Sequence, residues 1–121
     1  MNYQFICYSR WGTCRKARSF LDEKNISYNE RDIKENNPTE AELKEWIEKS
    51  GYPIKKFFNT NGKVYRELGL KDKLKDMSLD EKIKLLAKDG MLVKRPILVG
   101  EDLVLVGFKE EEWNRGMLNE D

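Results

Sequence analysis

The chain has 121 residues and a net charge of +1, which is room for one domain whose core needs no disulfide or metal staple. A charge so near zero gives no global electrostatic reason to bind bare DNA or an anionic membrane, and 37% charged residues point to a well-solvated surface. Histidine is absent, which excludes a Ser-His-Asp triad, a Cys-His dyad and histidine-ligated zinc or haem; two cysteines cannot make a four-cysteine metal site.

Tyr3 to Tyr8 is aromatic and β-branched and reads as a strand, broken by Ser9-Arg10-Trp11-Gly12-Thr13. A helical pattern follows from about Thr13 to Lys24, with Ala17, Phe20 and Leu21 on one face and Asn25 able to cap its end. Ile26 to about Ile33 is a second strand, more polar and so nearer a sheet edge. Thr39 with Glu42 predicts a capping box for a helix carrying Leu43, Trp46 and Ile47, stopped at Gly51 with Pro53 beyond. From about Pro53 to Met91 the pattern is wholly helical. Short elements fall around Val64–Gly69 and Leu70–Leu74. A longer helix follows Ser78, with Glu81 completing a second capping box. Its apolar face is Leu79, Ile83 and Leu86, and Gly90 sits where a C′ glycine belongs.

Arg95 to Val99 reads as a strand that begins at a proline. Gly100-Glu101-Asp102 is a tight turn, and Leu103 to Val106 returns as the second arm of a hairpin. Lys109 to Arg115 is a short final helix with Glu110, Glu111 and Glu112 in its first turn, and the tail from Gly116 to Asp121 is expected to fray. Phe5–Ile6 and Ile97–Val99 are apolar enough for central strands. The order is β-α-β, then helices, then β-β-α. This predicts an α/β fold with a thioredoxin-like core, one domain over residues 1–121, and a helical insertion at about 39–91. The first residues lack the basic start and apolar run of a signal peptide, and no apolar run reaches the ~18–20 residues of a membrane span. The expected address is the cytoplasm, with both thiols reduced.

In such a fold the first strand leads into the N-terminus of a helix, where backbone N–H groups and the dipole stabilise anions and thiolates. Trp11-Gly12-Thr13-Cys14 occupies that turn. Cys14 beside Arg15 could be a reactive thiol, with a pKa below the free value of roughly 8.5. Turned inward, it would instead be an inert small residue packed under the turn. Cys7 reads as a buried apolar filler. A Cys7–Cys14 disulfide, which needs Cα atoms within about 7 Å, is the less favoured reading. Trp46 and Trp113 read as core or partly buried caps. Trp11 is expected to be exposed at a cleft mouth, either blocking a pocket or meeting a partner. The mixed run Lys71 to Asp76 reads as a solvated helix face.

Trp11-Gly12-Thr13-Cys14-Arg15-Lys16-Ala17-Arg18, Asn59 to Leu70, Lys94-Arg95-Pro96-Ile97 and Gly107-Phe108-Lys109 together resemble the ArsC/Spx family. These are glutaredoxin-like arsenate reductases with the Spx and MgsR regulators. The resemblance implies a thioredoxin-like fold and a cis peptide bond before Pro96. It also implies an anion-binding turn at Trp11, Gly12 and Thr13, faced by Arg95, whose charge would reach Cys14. On the residues alone, Arg95-Pro96 could equally be a strand-start proline with a solvated arginine.

The family's nucleophilic cysteine falls at Trp11, and of its three oxyanion-holding arginines only Arg95 is matched; Asn59 and Gly107 stand at the other two. Neither Asn nor Gly supplies a guanidinium fork, so arsenate reduction by the family mechanism is not expected. The resemblance leaves two roles open. One is a single-cysteine thiol oxidoreductase or redox-responsive protein, with no bound cofactor and glutathione or another thiol as co-substrate, acting on a thiol redox partner. The other is a binding module that, like Spx, contacts the C-terminal domain of the RNA polymerase α subunit without recognising DNA itself.

Overall fold

The computed structural model describes residues 3–8 and 11–119, positions 118 and 119 by backbone only; Ser9 and Arg10 of the strand-breaking segment, and Glu120 and Asp121 of the tail, lie outside the described residues. Two units emerge. One joins the chain up to Asp32 with the chain from Arg95 onward, and the other runs from Ile33 to Lys94, enclosing the expected insertion.

The first unit is built on β1 (Tyr3–Cys7), α1 (Gly12–Glu23) and β2 (Tyr28–Asp32), then β3 (Ile97–Val99), β4 (Val104–Val106) and α6 (Glu110–Asn119). The strands form one sheet in the order β2-β1-β3-β4. β1 and β2 are parallel, with Tyr3 opposite Tyr28 and Cys7 opposite Asp32. Parallel neighbours need a crossover, and α1 provides it. β3 runs antiparallel to β1, with Phe5 opposite Leu98, and β4 runs antiparallel to β3. This is the thioredoxin-like arrangement. As the apolar runs predict, β1 and β3 are central, and the polar β2 is at an edge.

Alternation along β1 puts Tyr3, Phe5 and Cys7 on one face. They share a core with Cys14, Ala17 and Leu21 of α1, and with Trp113, which is completely buried. Phe5 and Phe20 both meet the Trp113 ring edge-on. α1 ends at Glu23 with Lys24 as its C-cap, and Asn25 takes the left-handed conformation beyond it at φ 55°. The final helix departs from expectation: it continues through Gly116 to Asn119 instead of fraying. Gly116 lies against Leu103 and Leu105, so the extra turn has sheet side chains to pack on.

The second unit holds α2 (Glu40–Ser50), α3 (Lys63–Glu67), α4 (Leu70–Lys73) and α5 (Leu79–Lys88), with 3-10 turns at Ile54–Phe57, Leu74–Asp76 and Gly90–Leu92. Both capping boxes form: Glu42 N–H donates to the Thr39 hydroxyl at 3.1 Å, and Glu81 N–H donates to that of Ser78 at 3.2 Å. α2 packs against α5, with Leu43, Trp46, Ile83 and Leu86 buried. Leu79, expected on the buried face of α5, is 52% exposed because it opens the helix immediately after the cap.

Two further details differ from expectation. The stretch is not wholly helical, since Phe58 and Val93 form an antiparallel bridge. Gly90 is not a left-handed C′ residue; a Cβ there would come within 2.5 Å of the Ile33 carbonyl oxygen, so close backbone approach requires glycine. No helix among the described residues is long and apolar enough to cross a membrane.

Candidate functional site

The site expected at the end of β1 is assembled within the first unit. Trp11 is the N-cap of α1, in extended conformation, and makes no side-chain cap hydrogen bond. Its N–H donates to the Tyr8 carbonyl at 3.0 Å, and its carbonyl accepts from Cys14 N–H at 3.1 Å, which fixes the turn. The first turn of α1 contains no acidic residue to neutralise the helix dipole. Gly12 opens the helix with no heavy atom within 4 Å of a notional Cβ, so the space beside it is open. Thr13 follows and is partly exposed.

Arg95 is buried at 6% exposure, and its peptide bond to Pro96 is cis, as the family resemblance implies. Its guanidinium carbon stands 4.4 Å from the centre of the Trp11 ring and 5.8 Å from that of Tyr8. A desolvated cation on an indole face is stabilised by about 2 kcal/mol. Gly107, at φ 73°, donates its N–H to the Pro96 carbonyl at 2.8 Å and accepts from Trp113 Nε1–H at 2.9 Å. The buried indole thus braces the loop beside Pro96.

Cys14 departs most from expectation. It is fully buried, and its sulfur is bonded to that of Cys7, with the Cα atoms 6.0 Å apart. Cys7 is buried as expected of a filler, but it is paired. The reason is geometric. Cys14, Ala17 and Leu21 follow helical spacing on the inward face of α1, and Cys7 alternates with Phe5 and Tyr3 on the facing side of β1. A sulfur bonded in this way has no thiolate for the helix dipole or Arg95 to stabilise. Arg95 lies over the Trp11 ring, and with Cys14 bonded to Cys7 the expected stabilisation of a Cys14 thiolate by Arg95 has no thiolate to act on. Trp11 itself is half-buried against the core rather than exposed.

Tyr8 also contributes, with the Arg95 guanidinium over its ring. Its only sequence signal is its place one residue past the strand, where alternation turns it away from the face that Cys7 occupies. Asn59, which the resemblance sets against one of the family's arginines, is buried in the second unit; its N–H donates to the Leu92 carbonyl at 2.8 Å, and its amide packs so near Gly62 that a Cβ there would lie 2.6 Å from Nδ2. It is a structural residue in that unit. Among the described residues no group of three or more His, Cys, Asp or Glu could hold a metal ion.

The fold and the turn define a class: a thioredoxin-like protein with tryptophan, not cysteine, at the N-cap of the first helix. The family profile described as ArsC family matches residues 7–115, and the chain belongs to that family. It is 51% identical over 113 residues to the uncharacterised protein YusI of Bacillus subtilis (strain 168), covering 93% of this chain and 96% of YusI. It is 31% identical over 100 residues to the Global transcriptional regulator Spx 2 of Bacillus anthracis, covering 83% of this chain and 75% of that protein. The solved structure of a protein from Bacteroides fragilis, described as ArsC family related, superposes with a TM-score of 0.92 at 54% identity, over 95% of this chain and 97% of that one.

Proposed function

We propose that the protein is a redox-responsive member of the ArsC family, with Cys7 and Cys14 as the responsive pair, and that it does not reduce arsenate. The bonded sulfurs on the facing sides of β1 and α1 carry this reading. A cysteine with no exposed surface is poorly placed to act alone on a protein partner. Two cysteines already in register can exchange two electrons with small thiols and peroxides. In the oxidising direction the Cys14 thiolate attacks hydrogen peroxide, giving a sulfenic acid and hydroxide, which takes a proton to become water. The Cys7 thiol then displaces the sulfenic hydroxyl as a second water, and the S–S bond forms. Both electrons from the sulfurs end on the peroxide oxygens. Two glutathione-type thiols reverse the step through a mixed disulfide, leaving two protein thiols and one glutathione disulfide.

The test is site-resolved alkylation after equilibration in glutathione buffers of graded ratio. Cys7 and Cys14 should lose and regain label together along one curve. Labels that change independently would overturn the pair. An arsenate assay with glutathione and glutaredoxin should show no turnover above the protein-free control, and robust turnover would overturn the reading of Trp11.

A second reading is supported by the relatives named global transcriptional regulators. The chain would be a binding module for the C-terminal domain of the RNA polymerase α subunit, with the Trp11 turn as part of its surface. Pull-down with that domain separates the readings: retention that is equal in oxidised and reduced protein favours the module alone. Retention in one redox state only joins the two.

A further inference from the structure

The second unit contains a cleft of ≈ 190 Å³ that the redox reading does not use. Its apolar floor is Ile54, Phe58, Tyr65 and Leu74, with the Phe58 and Tyr65 rings edge to face at 6.1 Å. Its rim is Lys55, Lys71, Lys75 and Lys82, and no acidic side chain lines it. The four lysines come from different places: the turn after Pro53, α4, the turn Leu74–Asp76 and α5. Among the described residues none of the four makes a salt bridge, whereas Lys49 and Lys63 each pair with a glutamate four residues away. Residues 54–84 hold nine Lys or Arg against five Asp or Glu, a net +4 in a chain of net +1. The run Lys71 to Asp76 is therefore more than a solvated face, since Leu74 is in the floor and Lys71 and Lys75 stand on the rim.

Four like charges around one opening repel each other, including the i,i+4 pair Lys71 and Lys75, and an anion removes that cost. Lysine ammonium groups are point charges that suit a phosphate, whereas planar carboxylate recognition favours the arginine fork. A dianionic phosphate brings twice the charge of a carboxylate and a third acceptor oxygen to the four lysines. A cavity of about 150 Å³ takes a benzene ring, so this cleft has room for one ring or a short acyl chain under the charged rim. We propose that this cleft binds a small organic phosphate, its aromatic or aliphatic body on Phe58, Tyr65 and Leu74 and its phosphate among the four lysines.

The test is a titration of the full-length protein, followed by amide NMR shifts, with three probes: phenyl phosphate, inorganic phosphate and benzyl alcohol. Phenyl phosphate should give saturable shifts confined to residues near 54–58, 65, 71–75 and 82, and should bind more tightly than either other probe. The double variant Lys71→Gln/Lys75→Gln should weaken it by at least about tenfold, as expected for losing two charge-assisted contacts. Lys88→Gln/Lys109→Gln, which changes net charge equally away from the cleft, should leave its affinity unchanged. The four substituted lysines are all exposed, so neither pair removes a buried contact. Equal weakening by the two double variants would overturn the site. So would inorganic phosphate binding as tightly as phenyl phosphate, benzyl alcohol binding as tightly, or shifts that do not saturate.

Discussion

Trp11→Cys puts a thiol at the N-cap of α1 and removes the ring on which Arg95 lies. The guanidinium carbon is now 4.4 Å from the ring centre. A thiolate in the vacated space would be about 5 Å from that charge, an attraction of about 3 kcal/mol at an effective dielectric of about 20. The helix terminus, with no acidic side chain in its first turn, adds about 0.3–1 kcal/mol. Each 1.36 kcal/mol is about one unit of pKa, so the introduced thiol should lie well below an ordinary cysteine. Mass spectrometry of the pre-reduced variant, alkylated across a pH series, measures this. The introduced thiol should label at neutral pH at least about tenfold faster than a free cysteine, and faster than Cys7 or Cys14. A labelling midpoint at or above the free value of about 8.5 would refute the reasoning, because the turn would then no longer stabilise an anion.

Trp113→Phe leaves the Gly107 carbonyl without its buried indole donor and opens space among Phe5, Phe20 and Phe108. It should cost about 2–4 kcal/mol in urea unfolding with an unchanged slope. Gly90→Ala forces a Cβ against the Ile33 carbonyl and should cost about 1–3 kcal/mol in the same assay. Thr39→Ala removes the N-cap of α2 and should cost about 1 kcal/mol. The Glu81 carboxyl is held below the usual carboxylate range by the backbone N–H of Ser78 and then by its hydroxyl. A depressed folded pKa adds stability above the unfolded value, and that stability is lost as pH falls through the folded one. Glu81→Gln should therefore flatten the acid limb of the stability curve, and an unchanged limb would contradict the assignment.

Much of the fold was legible because local signals agreed with tertiary ones. Both capping boxes, the Gly51 stop, the polar edge strand and the apolar central strands all appeared in the pattern and in the structure. Gly90 escapes the local pattern because its role is a close approach to Ile33, distant in sequence, and not a local backbone preference. The full length of the final helix is not in its local pattern, because Gly116 packs on Leu103 and Leu105, distant in sequence.

The site followed the same rule. Position alone places Trp11, Gly12, Thr13 and Cys14 at one turn of the first unit, and the family resemblance adds Arg95 and Pro96 to it. The Cys7–Cys14 pairing was available from periodicity: Cys14 shares a face with Ala17 and Leu21, and Cys7 with Phe5. Weighing Cys14 by its distance from the helix start, and not by that face, is what ranks the pairing below a free thiol. The stacking of Arg95 on Trp11 depends on how the strand at Pro96 meets the turn, which no local pattern encodes.

The most direct test of the redox reading is made on protein from acid-quenched cells, with free thiols blocked before any handling. Cys7 and Cys14 should both be blocked in unstressed cells. Both should escape blocking after a brief peroxide challenge, with the chain lighter by two hydrogen atoms, and both should be blocked again on recovery. A pair that stays oxidised throughout, or stays reduced through the challenge, would contradict a redox-responsive role.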